Sequence, residues 1–366
     1  RRLRDVGVCA GVFSEYELWL AMQLGFPPNA IIYNGPAKSE ASLRTAIREG
    51  IDLVHFNSRA EIAPFVRLAR ELSRRPRVGV RVAVPGGWSG QFGERIDTGA
   101  ALRAFKEAAS AEALRVVSLH AHLGGEIADR ERLSSFVAAV LAFCDELSRR
   151  LSLDVEVLDL GGGFACPTVR ALPRFERRLN QTFGADLMPR DPTEVLSIRE
   201  AVAIVVGQVH AHFERVGRAA PRIVLEPGRA LTGNTQMLLT RVVSVQDASE
   251  GVTHVVLDAG LCVARPVPNE VHQLFLVGPP RSNERIRTRL TGPICTPADV
   301  LYASWELPPL VPGDALAIMD SGAYFVPFAS SFSFPQPGIV MVDGGRAVVL
   351  RRAETFPDLI SLDRSG

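Results

Sequence analysis

The sequence predicts an α/β architecture, a (β/α)8 barrel, followed by an all-β C-terminal domain. Three observations carry this. Over the first two thirds of the 366 residues, short apolar runs alternate with amphipathic stretches, which requires a parallel sheet with crossover helices. Charged or glycine-rich groups follow those runs one after another, as at the mouth of a barrel. After about Met237 the helical period gives way to short β-rich runs between Gly, Pro and Asp turns. Residues 1–236 are therefore expected as the barrel and 237–366 as the β domain.

Taken in order, strands are expected at Val6 to Cys9, Ala30 to Tyr33, Leu53 to Phe56, Val78 to Val84, Val116 to His122, Val155 to Leu160 and Arg222 to Leu225. Helices fall between them at Ser14 to Leu24, Ser39 to Glu49, Ser58 to Arg74, Ala100 to Glu112, Asp129 to Arg150 and Val195 to Val216, several opening on a serine N-cap. Seven strands suit an open doubly wound sheet as well as a barrel, which needs eight. The strand-end chemistry favours the barrel, and its first strand is then expected before Arg1. Further strands are expected at Val242 to Val245, Thr253 to Leu257, Leu274 to Val277, Ala315 to Met319, Ile339 to Val342 and Ala347 to Leu350.

Composition excludes several function classes. The formal net charge of +1 offers no basic footprint for nucleic acid or an anionic membrane. No apolar run approaches a membrane span, and no signal peptide is visible. Five scattered cysteines without a CxxC pair read as reduced thiols of a cytoplasmic protein. Only two lysines occur, Lys38 and Lys106.

The chemistry sits at strand ends. Asp159-Leu160-Gly161-Gly162-Gly163-Phe164 closes an apolar run with bare backbone amides, which suits a phosphate, although a plain tight turn remains open. Arg222 to Leu225 runs into Glu226-Pro227-Gly228-Arg229, placing a carboxylate and a guanidinium at the matching position. His120 and His122 alternate onto one face of a strand, but no third metal ligand stands nearby, so no metal is expected. His122, before Gly124-Gly125, could lie flat on a planar ligand. Pro293 and Pro297 flank Cys295, fixing the direction of a thiol that could donate a proton. Asp320-Ser321-Gly322-Ala323-Tyr324 offers a phenol after a glycine.

In this order the motifs resemble the fold-type III pyridoxal-phosphate decarboxylases, the group of ornithine and diaminopimelate decarboxylases. The resemblance covers Ile32 to Ser39, His122 to Gly124, Gly161 to Phe164, Glu226 to Arg229, Asp258 to Gly260, Arg265-Pro266, Cys295 to Asp299 and Gly322 to Tyr324. It implies pyridoxal phosphate, with His122 stacked on the pyridine ring and Gly161, Gly162, Gly163 and the amides near Gly228 on the phosphate. Glu226 would keep the pyridine nitrogen protonated, so that the ring draws off the charge left by CO2 loss. Tyr324 would cap the phosphate. Cys295 would reach across a homodimer interface to return a proton. Arg229 and Arg265 would hold a distal carboxylate, as in the diaminopimelate branch.

The departures matter as much. The Schiff-base lysine has no counterpart here, because Lys38 matches the family's structural lysine and Lys106 lies on a surface helix; it is expected upstream of Arg1. Cys9 replaces an aspartate, Gly125 a phosphate-binding serine, Asn269 a tyrosine, and Thr296 the acidic residue that meets a distal amine. The implied substrate is a modified or conjugated amino acid with a carboxylate or carbonyl far end, in a secondary-metabolite or siderophore-type pathway, where the amino acid is conjugated to a carrier protein or a citrate-like acid. Ordinary diaminopimelate decarboxylation is one alternative. The other is a non-catalytic relative that binds or regulates.

Overall fold

Buried, largely apolar runs become the strands of one parallel sheet. In the computed structural model, which describes residues 2–88, 90–249 and 251–364, these are β1 Ala10–Val12, β2 Ile31–Tyr33, β3 Leu53–Phe56, β4 Arg77–Ala83, β5 Arg115–Ala121, β6 Val157–Asp159 and β7 Arg222–Val224. Each pairs with the next, all parallel, and sheet order follows chain order. Consecutive order without a switch point makes them successive staves of a barrel. A two-residue strand, Glu94–Arg95, adds to β4.

Helices α1 Glu15–Gln23, α2 Glu40–Glu49, α3 Ile62–Glu71, α4 Ala100–Ala109, α5 Arg130–Leu151 and α6 Ile198–Arg215 form the crossovers. Their starts are set locally. Ser14 accepts from Glu17 N–H at 3.2 Å and Ser39 from Ser42 N–H at 3.0 Å, while Ser197 and Glu200 form a reciprocal capping box. Ile32, Leu53, Val117 and Val157 form one core cluster, with Val224 against it.

The first strand differs from expectation. Val6 and Val8 are exposed and the pairing begins at Ala10, opposite Ile31. Arg2–Asp5 instead forms a short helix, and the chain turns after it through Gly7 N–H to Arg4 O and Val8 N–H to Leu3 O, so the apolar run there is a helix end and turn rather than a buried strand.

The chain divides into two compact units, Arg1–Phe164 with Leu196–Pro227, and Ala165–Val195 with Gly228–Gly366. The division after Pro227 precedes the expected change at residue 237. Residues 165–195 join the second unit because strand Arg170–Ala171 pairs with Glu270–Val271 and Leu172 N–H bonds Asn269 O. That segment also brings in helix Arg174–Phe183, so the unit is mostly sheet rather than all-β.

Its main sheet contains β8 Leu238–Ser249, β9 Val252–Leu257, β10 Leu274–Leu276, β11 Ile286–Thr291, β12 Val300–Leu307 and β13 Ala315–Ile318, in the order β10-β13-β8-β9-β11-β12. Two strands had no sequence expectation. Ile286–Thr291 alternates arginine outward with Leu290 inward, so its apolar content is low. Val300–Leu307 carries Ser304 and Glu306 within a run whose Leu301, Tyr302 and Leu307 join the core. A separate hairpin pairs Ile339–Asp343 with Arg346–Arg351. Among the described residues no helix is long and apolar enough to cross a membrane.

Candidate active site

The first unit gathers its chemistry where β6 and β7 end. Asp159, fully buried, accepts from Gly161 N–H at 3.0 Å and turns the chain into the glycine run. Gly161 and Gly163 take φ +65° and +87°, values that favour glycine. Backbone crowding adds a second reason, since a methyl group on Gly162 would strike Glu226 O and one on Gly163 would strike Gly124 O. Glu226 N–H bonds Gly161 O at 2.8 Å, tying the two strand ends together. The N–H groups of Gly162 and Gly163 meet no protein acceptor among the described residues. Two free amides in such a turn make an anion nest.

Glu226 is met by Asn34, whose Nδ2 donates to Oε1. His120 Nε2 stands 3.9 Å from Oε2, and His55 Nδ1 stands 3.9 Å from Asp159 Oδ2. Burial, then the neighbouring Asp159, pushes the Glu226 carboxyl well up; burial also pushes Asp159 up, against the bond from Gly161. Arg81 draws both downwards. The histidines are kept neutral: burial, with Lys38 and Arg81, lowers His55 to about 3, and burial with nearby cations holds His120 well below its ordinary value.

His120 and His122, one candidate pair in the sequence, part company. His120 faces the core beside His55, ring centroids 5.0 Å apart, and neither of its nitrogens has a hydrogen-bond partner among the described residues. Ligand atoms of His55, His120 and Asp159 lie within 4.8 Å of one another, a metal-type donor set absent from the sequence reading because its members come from three different strands, β3, β5 and β6. Both His55 nitrogens are already hydrogen-bonded. His122 lies past the end of β5, its Nδ1 accepting from Gly124 N–H at 3.0 Å, and the edge of its ring rests against Gly161. Trp88 stacks flat on it, centroids 4.6 Å apart at 6°. A ligand ring can therefore take only the opposite face, unless it displaces the indole. Burial, then Arg81, lowers His122 to about 4. Gly125 is exposed with open space around it.

The second unit holds the remaining candidates. Tyr324 Oη sits where a Gly228 side chain would begin, and the Arg229 guanidinium lies 5.4 Å from the Tyr324 ring centroid. Arg229 does not wait for a ligand: its Nη1 and Nη2 donate to the two oxygens of Glu270 at 2.5 and 2.7 Å. His272 Nε2 is 3.1 Å from Glu270 Oε2. Arg265 is exposed. Cys295 and Thr296 are exposed on one turn, where Thr296 Oγ1 accepts from Ala298 N–H at 3.3 Å. That turn is anchored less by its prolines than by buried Asp299, which accepts from Leu261 N–H at 2.7 Å and Ile294 N–H at 2.9 Å, with Gly260 and Gly292 pressed against it.

The two lysines differ. Lys38 Nζ, with its side chain 1% exposed, meets Glu61 at 2.7 Å and Gly35 O at 2.6 Å. Lys106 is exposed on α4.

Residues 1–233 match the family described as "Pyridoxal-dependent decarboxylase, pyridoxal binding domain". The chain belongs to that family. It is a pyridoxal-phosphate-dependent amino-acid decarboxylase. It is 26% identical to a diaminopimelate decarboxylase of Aquifex aeolicus, over 99% of this chain and 82% of that protein. The solved diaminopimelate decarboxylase of Methanocaldococcus jannaschii in complex with L-lysine superposes with a TM-score of 0.85 at 24% identity, covering 100% of this chain and 81% of that one. The arginine decarboxylase of Paramecium bursaria Chlorella virus gives 0.71 at 20%, covering 90% and 83%. These likenesses share the barrel-plus-β-domain fold. The residues of this decarboxylase fit its cofactor: the nest suits a phosphate, and a carboxyl beside it suits a ring nitrogen.

Two outcomes follow from these contacts. Asp299→Ala leaves two backbone N–H groups unpaired and is expected to cost about 3 kcal/mol in denaturant melts, with Asp299→Asn losing less. Burial alone would raise Glu270, but bonds from His272 and Arg229 outweigh it and lower it. Its contribution is thus complete above the ordinary carboxylate value of about 4.3 and fades as pH falls through the lowered one. Glu270→Gln is expected to cost about 2 kcal/mol at pH 7, and thermal melts should show the gap closing as pH falls below the ordinary carboxylate range.

Proposed function

We propose that this decarboxylase acts on an α-amino acid whose far end is modified or conjugated, with a carboxylate, carbonyl or amide there rather than a free ammonium, and that it works as a homodimer. The observation that carries the substrate reading is the Arg229–Glu270 pair. Its guanidinium, the expected anchor for a distal carboxylate, is already neutralised within the chain. Thr296 is uncharged and its hydroxyl serves its own turn, so a distal ammonium would lack a counter-charge there. Arg265, exposed, is the cation this reading assigns to a carboxylate or carbonyl oxygen.

Pyridoxal phosphate, when bound, supplies an electron sink for the charge that CO2 loss leaves at Cα. The chain's part is positioning and proton control. The amides of Gly162 and Gly163, with Gly161 shaping their turn, hold the phosphate. His122 gives the face not covered by Trp88 to the ring. Glu226, pushed up by burial and by Asp159, holds a proton for the ring nitrogen and becomes its anionic partner. Cys295, exposed and without a partner among the described residues, returns a proton to Cα from across the dimer.

A second reading, diaminopimelate decarboxylation, is favoured by the names of the relatives. Steady-state turnover of free meso-diaminopimelate, ornithine and lysine against amino acids acylated or amidated at the far end separates the two. The proposal expects the free amino acids to be poor substrates, and Glu270→Gln, by releasing Arg229, to raise kcat/KM for diaminopimelate roughly tenfold or more. Efficient turnover of free diaminopimelate or ornithine by the unaltered protein overturns it. Cys295→Ala is expected to lower kcat by roughly 10²-fold or more; an unchanged kcat would remove the thiol from the proton step.

A further inference from the structure

Three strands contribute to one line of hydrogen bonds that ends at Glu226. Ser118 comes from β5, His55 from β3, and Asn34 from the residue after β2. Ser118 Oγ stands 2.7 Å from His55 Nε2, His55 Nδ1 faces Asn34 Oδ1, and Asn34 Nδ2 faces Glu226 Oε1. Asn34, His55 and Ser118 are 0%, 1% and 0% exposed, so water does not compete for any of them.

The donors can be ordered by elimination. Asn34 Nδ2 meets Glu226 Oε1; with any proton of the carboxyl held at Oε2, an amide oxygen facing the bare Oε1 would repel it, so the Asn34 NH2 is the end that points at Glu226. Its oxygen then accepts, which places the imidazole proton on His55 Nδ1. A neutral imidazole so protonated has a bare Nε2, and that atom accepts from the Ser118 hydroxyl. Reversing the Asn34 amide would cost both of its bonds at once.

We propose that His55, oriented by Ser118, is a positioning residue that locks the Asn34 amide with its NH2 towards Glu226, and thereby holds that carboxyl in one orientation for the cofactor's ring nitrogen. This rests on the reading that Glu226 meets that nitrogen. His55 touches neither substrate nor cofactor in this role; it acts through Asn34.

Two substitutions divide the imidazole's functions. The amide nitrogen of an asparagine falls near Nδ1, whereas that of a glutamine falls near Nε2, so His55→Asn can still donate to Asn34 and His55→Gln cannot. Binding is read by titrating each protein with pyridoxal phosphate and with its 1-deaza analogue, which lacks the ring nitrogen. The expected result is that His55→Gln weakens pyridoxal phosphate about tenfold while His55→Asn stays within about threefold, and that the analogue binds all three proteins alike. Equal losses in the two variants, or the same loss for the analogue, overturn the proposal and reduce His55 to packing. Equal affinity of the unaltered protein for the two compounds overturns the reading of Glu226 itself, and this inference with it.

A cofactor-free measurement covers variants that fold poorly. Long-range 1H–15N spectra of the apoprotein should show His55 as the Nδ1–H tautomer, shifting towards Nε2–H in Asn34→Leu, where Ser118 can rotate to accept. An Nε2–H tautomer in the unaltered protein overturns the proposal.

Discussion

Two carboxyls, Asp159 and Glu226, end neighbouring parallel strands inside the sheet, and much of the first unit's polar design follows from keeping them there. Burying one carboxylate is costly and burying two side by side is more so. The chain answers with bonds rather than with a tight ion pair. Gly161 N–H holds Asp159, Asn34 holds Glu226, and Arg81 supplies positive charge at a distance. Three histidines around them stay neutral, because burial and nearby cations press their charged forms down. A cluster so arranged has room for a proton, which is what a site built around a basic ring nitrogen requires.

The second unit solves the opposite problem with the opposite device. There a guanidinium and a carboxylate, Arg229 and Glu270, meet in a two-bond fork, the strongest geometry available to such a pair. A pair of this kind is self-contained. It gives stability and definition to the segment around β10, but it withdraws Arg229 from recognition of anions. The same residue types that mark a carboxylate-binding site in a sequence can thus, with one added acidic neighbour, describe a site that has closed on itself.

Much of this was legible before the structure. Alternating apolar and amphipathic runs announced the parallel sheet, and Asp159 to Gly163 and Glu226 announced the strand ends where chemistry collects. What escaped were contacts that depend on strand order rather than spacing. His55 reads as one polar residue in a four-residue apolar strand, and only its placement across the sheet from Ser118 and beside Asn34 gives it partners. Trp88 stood in a Pro-Gly-Gly loop with no periodic signal. Asp299 looked like the end of a turn, whereas its two oxygens hold both Leu261 and Ile294. Arg229 was read by its type; Glu270, forty-one residues on, decides what it can do.

The raised carboxyls also tie cofactor binding to the fold. A group whose folded pKa lies above its unfolded value binds more protons in the folded state, so its effect on stability becomes less favourable as pH rises from the unfolded value to the folded one. Asp159 and Glu226 both lie on that side. A cation brought against Glu226 acts in the reverse sense: it favours the ionised carboxylate and lowers the proton affinity of the pair. On the proposed reading, in which Glu226 meets the ring nitrogen, reciprocal linkage turns the strain of two buried acids in the free protein into affinity for a ring nitrogen that can take up their proton. In that reading the orientation of Glu226 sets how much of the exchange is realised, and a buried line of neutral side chains reaching it from across the sheet bears on the chemistry and not only on packing.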